Sequence, residues 1–214
     1  MYNGLYQTKG VTDLPSEQDL IQIKKKKYDY GEKNFGNVIR KLQALTPGKD
    51  LLELGSSWGY FLQQANDAGF NASGVEISND RASFGKEKLE LDIVTNIEKI
   101  RDNQFDIVFT HHVLEHFTNL NSIFCDLCSK LRPGGLLVIA VPNFDYEYFG
   151  TQCLNVIGAV HPLGFNSNFF IKNLPHYGFD QIRFFENWDS IPENPLKKSV
   201  ATGLICISRK KTTF

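Results

Sequence analysis

Leu51-Leu52-Glu53-Leu54-Gly55-Ser56-Ser57-Trp58-Gly59-Tyr60-Phe61 is the stretch that decides the fold of this chain. An apolar strand runs into a tight turn carrying two glycines, and a helical pattern follows. Open α/β sheets present a nucleoside at such a strand-turn-helix unit, outside the carboxyl end of the strand. Gly55 supplies a bend that a side chain would obstruct, and Gly59 is expected to let backbone approach a ligand. Glu76 follows Gly55 by 21 residues, at the end of a second apolar run, Ala72 to Ile77. A carboxylate placed there can accept hydrogen bonds from both hydroxyls of a ribose.

Outward from this unit, apolar strands alternate with helical patterns. Strands are predicted near 50–54, 72–77, 91–94, 105–110 and 136–141, and helices over 58–68, 79–89 and 119–131. This alternation builds a mostly parallel sheet with helices on both faces. Ahead of it, Phe35, Val38, Ile39, Leu42 and Leu45 recur at helical spacing until Thr46-Pro47-Gly48 ends the pattern. After Val141, residues 144–165 are rich in aromatics and glycine without a clean period, and read as the insertion that shapes a substrate pocket. A helix near 166–177, a strand near 180–186, a loop marked by Pro192 and Pro195, and a strand over 203–208 close the chain. Two strands joined without a helix imply an antiparallel pair. The expected organisation is one domain, with a helical cap (1–46), a ligand-binding core (47–143) and a substrate-side insertion with the final strands (144–214).

The order of glycines separates two classes of ligand. A dinucleotide fingerprint wants glycine at positions one, three and six, so that a pyrophosphate can approach the start of the helix. Here those positions are Gly55, Ser57 and Tyr60. Tyr60 would crowd a pyrophosphate, which opposes an NAD-linked oxidoreductase, and a cofactor without phosphates fits better.

Glu53-Leu54-Gly55-Ser56-Ser57-Trp58-Gly59, Gly74-Val75-Glu76, Phe105-Asp106-Ile107-Val108 and Leu131-Arg132-Pro133-Gly134-Gly135 occur in this order. Together they resemble the successive motifs of class I S-adenosylmethionine-dependent methyltransferases. Ser57 stands where many members carry a central glycine. The resemblance implies a Rossmann-like, doubly wound α/β sheet with a last antiparallel strand. It also implies S-adenosylmethionine as cofactor and S-adenosylhomocysteine as product. Glu53, Gly55, Ser56, Ser57, Gly59, Tyr60, Phe61, Glu76 and Ile77 would bind the cofactor, with Gly55 and Gly59 under the methionine and ribose and Glu76 on the ribose hydroxyls. Asn96 and Ile97 would meet the adenine, with Asp92 as the alternative to Asn96.

Thr110-His111-His112-Val113-Leu114-Glu115-His116 follows the fourth strand, where relatives line the sulfonium and the acceptor. Methyl transfer requires an aligned nucleophile and a place for its proton, and a neutral imidazole suits that second task. His111, also counted with the cofactor residues, His112 and His161 are therefore the candidate bases. The resemblance gives Leu114-Glu115-His116 a structural role in opening a helix. No metal is expected. Were one bound, His112, Glu115 and His116, at i, i+3 and i+4, would offer three ligands on one helical face.

Bulk properties narrow the partners. With 214 residues, 42% of them hydrophobic, and a formal charge of -1, the chain has no basic excess to favour nucleic acid. Lys24 to Lys27, followed by Tyr28 and Tyr30, read as a solvated face. Neither a signal peptide nor a spanning segment stands out, so a cytoplasmic protein is expected. Cys125 and Cys128 form a C-x-x-C pair inside a helical apolar pattern, where both are expected to pack as small apolar residues. The expected function is O-methylation of a small molecule or a sugar or glycan precursor. The alternatives are N- or C-methylation and a catalytically inactive methyltransferase-like binding subunit.

Overall fold

The computed structural model describes residues 13–26, 28, 33–157, 161–191 and 203–212. Lys27, Tyr30, Val160 and the loop of Pro192 and Pro195 lie outside them. Strands β1 (Asp50–Leu54), β2 (Asn71–Val75), β3 (Asp92–Val94), β4 (Phe105–His111), β5 (Leu131–Pro142), β6 (Phe179–Phe185) and β7 (Gly203–Lys210) form one sheet in the order β3-β2-β1-β4-β5-β7-β6. The pairs β1–β2, β2–β3, β1–β4 and β4–β5 are parallel, whereas β7 runs antiparallel to both of its neighbours. The expected final antiparallel strand is therefore present as β7, between β5 and β6.

Alternation along the strands divides the interior into two apolar layers. Ile107, Phe109, Leu136, Val138 and Ala140 face one layer, and Val108, Leu137, Ile139 and Val141 face the other. Helices α1 (Glu17–Lys25), α2 (Gly36–Leu45), α3 (Tyr60–Asp67) and α4 (Asn79–Leu89) cover the first layer. Helices α5 (Leu120–Lys130) and α7 (Ser167–Asn173) cover the second. Phe61 of α3 meets Phe109 of β4 with ring centroids 4.7 Å apart, and each such buried ring contributes roughly 1.5–3 kcal/mol. Chain order reverses between β1 and β4, so the crevice at their carboxyl ends is the topological switch point of the sheet.

Several boundaries differ from those read in the sequence, each for a local reason. Helix α3 starts at Tyr60 because Gly59 is left-handed, with φ of 91°. The helix expected over 166–177 is α7 followed by a 3₁₀ turn, Leu174–Tyr177, at whose start Pro175 has no N–H to donate. Strand β5 begins at Leu131, pairing with Phe105 before its register shifts at Ile107. The 144–165 insertion holds α6 (Tyr146–Phe149) and a 3₁₀ segment, Gly150–Val156. Cys128 is buried as expected, but Cys125 is exposed on α5 and does not join the core.

The amino end of the sheet is closed by a charge network. Arg132 Nη1 donates to Asp106 Oδ1 and Arg132 Nη2 to Asp50 Oδ2, each at 2.7 Å. Asp106 Oδ2 also accepts from the Asp50 amide at 3.0 Å. The guanidinium hydrogen bond holds the Asp50 carboxyl below its usual range. Two of the sequence motifs are thus joined here, at the end of the sheet opposite the switch point. Because the fork is partly open to solvent, Arg132→Ala should cost about 1 kcal/mol in a urea unfolding experiment. A change below roughly 0.3 kcal/mol would show that the network adds nothing beyond solvated charges.

Candidate functional site

At the carboxyl end of β1 the backbone turns through Gly55 at φ of 79° and Ser57 at φ of 50°. The amides of Gly55 and Ser56 both donate to the Val75 carbonyl, at 2.8 and 3.0 Å, locking the turn to the end of β2. Ser57 occupies a left-handed conformation that glycine adopts without cost, which explains why a glycine is common there among the proteins whose motif it resembles. Gly55 and Gly59 are needed for packing as well as conformation. A Cβ on Gly55 would come within 2.4 Å of Val113 Cγ2, and one on Gly59 within 2.3 Å of Leu91 Cδ1. Gly59 therefore makes room for the protein's own Leu91.

Glu76 is 6% exposed and grips two turns at once. Its Oε2 accepts from the Ser57 amide and its Oε1 from the Ser78 amide, both at 2.8 Å. Beneath it lies Glu53, whose carboxyl is pushed well above its usual range by burial and by the charge of Glu76. Glu53 Oε2 and the hydroxyls of Ser56, Ser57 and Thr110 are buried and make no hydrogen bond within the protein. Such a concentration of unsatisfied polar atoms at a switch point is what a polar ligand with donors and a positive charge would relieve.

The remaining residues expected around a cofactor divide into two groups. Ile77 is 72% exposed beside Glu76, an apolar side chain open to a flat ring. Tyr60 is half-buried, its ring 5.1 Å from Trp58 and 5.8 Å from Phe35. Phe61 is fully buried and belongs to the core, so its side chain cannot line a pocket. Asn96 caps the 3₁₀ turn Ile97–Lys99, its Oδ1 accepting from the Glu98 amide at 3.0 Å and its Nδ2 donating to Glu98 Oε2 at 2.9 Å. Asp92, the alternative, accepts from Ser73 Oγ at 2.7 Å at the beginning of β3, farther from the carboxyl edge.

The histidines sit at the end of β4 and across from it. His111 ends the strand with its ring perpendicular to Phe35 at 5.4 Å, 6.2 Å from Phe109 and 4.5 Å from His112. Burial, and then the neighbouring His112, depress its pKa from 6.5 to about 3. It is neutral at pH 7, yet its conjugate acid is too strong to hold a transferred proton well, so His111 suits hydrogen bonding better than proton storage. His112 is exposed and left-handed, with φ of 54°, and its Nδ1 lies 3.4 Å from Glu115 Oε1. The segment Leu114–His116 forms a 3₁₀ turn rather than an α-helix, so His112, Glu115 and His116 do not share a helical face. Instead His161 comes across from the insertion, its ring 4.8 Å from that of His116. This juxtaposition was invisible in the sequence, where 44 residues separate His161 from the end of the Leu-Glu-His run.

Comparison with known proteins agrees with this layout. Residues 52–139 match the family described as "Methyltransferase domain". The chain is 23% identical over 119 residues to phosphoethanolamine N-methyltransferase 2 of Caenorhabditis elegans, covering 51% of this chain and 27% of that protein. It is 28% identical over 138 residues to the ubiquinone biosynthesis O-methyltransferase of Bradyrhizobium sp. (strain ORS 278), covering 61% and 53%. The chain thus spans from about a quarter to about half the length of these curated relatives. Among solved structures, Haemonchus contortus phosphoethanolamine N-methyltransferase 2 in complex with S-adenosyl-L-methionine superposes with a TM-score of 0.61 at 16% identity, covering 89% of this chain and 57% of that one.

Two pH effects follow from the buried groups. The unfolded chain protonates His111 near pH 6.5 and the folded one only near pH 3, so native stability falls as pH drops through that window. His111→Phe, which keeps a ring against Phe35 and Phe109, should flatten this fall in melting curves between pH 6.5 and 4. An identical slope in both proteins would place the acid sensitivity elsewhere. Glu53 has the opposite sign, because its folded pKa is raised: the native state binds more protons than the unfolded one, and stability declines as pH rises above about 4.5. Glu53→Gln should raise the melting midpoint at pH 8, by about 2–4 °C for each kcal/mol recovered. A lower midpoint there would contradict an ionisation penalty at Glu53.

Proposed function

We propose that this chain, which belongs to the class I S-adenosylmethionine-dependent methyltransferases, binds S-adenosylmethionine at the Gly55–Glu76 crevice and methylates an oxygen of a small molecule or a sugar or glycan precursor. The observation that carries the reading is Glu76, held by the Ser57 and Ser78 amides beside the orphaned polar atoms of Glu53, Ser56 and Ser57. These groups fit the cofactor's needs. Glu76 would accept from the ribose hydroxyls, and Ile77 would cover the adenine. Ile97 and its neighbour Asn96 would meet the adenine edge, while Gly55 to Ser57 would carry the methionine arm. Glu53, costly as a buried anion, would be stabilised by the cofactor's ammonium.

When bound, the cofactor supplies a methyl group on a sulfonium that leaves as a neutral thioether. The protein's own share is alignment of the acceptor and removal of its proton. His112, exposed beside Glu115, is the residue to take that proton, whereas His161 faces His116 from the insertion. His111, its ring set against Phe35, would hydrogen-bond the acceptor rather than store its proton. An oxygen acceptor is supported by the relative from ubiquinone biosynthesis and by the run of imidazoles at the end of β4.

Calorimetry tests the cofactor. S-adenosylhomocysteine should bind with one site per chain and NAD should not, and Glu76→Ala should weaken binding by about 1–3 kcal/mol, a 5- to 150-fold loss. Binding of NAD alone, or an unchanged affinity in the variant, would overturn the assignment. Transfer of a radiolabelled methyl group to hydroxylated small molecules and sugar nucleotides, set against amines, tests the acceptor. Labelled product confined to the amines would reject the oxygen reading.

A further inference from the structure

We infer that Glu115, His116 and His161 form a binding site for a divalent first-row transition cation of the zinc type. One ligand atom from each, the carboxylate oxygen and two imidazole nitrogens, lies within 4.8 Å of the others. Bonds to such a cation run at about 2.0–2.2 Å, so ligand atoms in a tetrahedral shell stand about 3.4 Å apart. Modest side-chain rotation closes the set. Two imidazoles and one carboxylate suit this class of cation, whereas magnesium and calcium favour oxygen alone.

A second observation points the same way. Glu115 is 1% exposed, and neither of its carboxylate oxygens takes part in a hydrogen bond. A carboxylate removed from water without a donor costs several kcal/mol, and a cation removes that cost. Nδ1 of the exposed His112 ring lies 3.4 Å from Glu115 Oε1, a long contact. Glu115 is nevertheless held in place through its backbone, because its carbonyl accepts from the Leu163 amide at 3.3 Å. That bond brings the His161 loop to the 3₁₀ turn. The far end of the loop is tied to the end of β5 by a bridge between Asn143 and Phe165 and by the Phe144 amide donating to the Phe165 carbonyl at 2.6 Å. The third ligand is thus followed closely by two anchored residues, Leu163 and Phe165.

His116 and His161 are half-buried, so the cation would keep coordination positions open on the solvent side. Val113, against which the Gly55 turn packs, belongs to the same short stretch as Glu115, placing the cation next to the cofactor crevice. Resting on the methyltransferase reading for this point alone, the open positions would take the oxygen of the acceptor and lower its pKa before methylation.

Protein stripped with chelator is titrated with zinc chloride in a calorimeter and with cobalt chloride by visible absorption. One equivalent should bind, reversibly on adding chelator, with the absorption bands of a nitrogen- and oxygen-ligated cobalt ion. Glu115→Gln and His161→Ala should each weaken zinc binding by at least 10-fold. His161→Ala, at a half-buried loop position, keeps the test decisive where the Glu115 variant fails to fold. The His161 variant should bind S-adenosylhomocysteine within about twofold of the parent. No saturable binding near one equivalent, or equal affinity in parent and His161→Ala, would reject the site. Zinc binding lost in the variant while S-adenosylhomocysteine fails to bind the parent would support the metal site and reject the cofactor assignment.

Discussion

One carboxylate joins the two turns on which the carboxyl edge of the sheet depends. Glu76 accepts the Ser57 amide with one oxygen and the Ser78 amide with the other, so the loop after β1 and the start of α4 share a single acceptor. Charge-assisted bonds to backbone N–H groups are about twice as strong as neutral ones. They hold Ser57 in a left-handed conformation that a non-glycine residue would otherwise leave. Through the Val75 carbonyl, which receives the Gly55 and Ser56 amides, the same turn is fastened to the neighbouring strand. The turn is thereby fixed by the protein's own groups.

Two neighbouring groups are in costly states. Glu53 lies beneath Glu76 with burial and like charge both opposing its ionisation. His111 is kept neutral by burial and then by the neighbouring His112. At the other end of the sheet, every charge in the Arg132, Asp50 and Asp106 network has a partner. The two ends of the sheet thus contrast, one with its charges paired and one with buried polar atoms left unsatisfied.

Much of the architecture could be read directly from the chain. Strands β1, β2, β4 and β5 announce themselves as apolar runs between turn residues, and α4 and α5 begin at Ser78 and Asn119, whose side chains cap them as such residues do. The roles of single residues were less legible. Phe61 follows the glycine turn in sequence yet points into the core, and Gly59 leaves space that Leu91 fills. His112, Glu115 and His116 have helical spacing, but a 3₁₀ turn and the left-handed His112 separate them.

The sequence alone determined the order of elements, the glycine turn and the position of Glu76, because periodicity and turn chemistry act between residues near one another in the chain. Only the tertiary structure decided that His161 meets Glu115 and His116, that Glu53 is trapped beside Glu76, and that Phe35 reaches His111. Those relations depend on burial and on contacts between segments dozens of residues apart. Local pattern carries no record of them, since the packing of the whole sheet sets both the distances and the dielectric in which these groups interact.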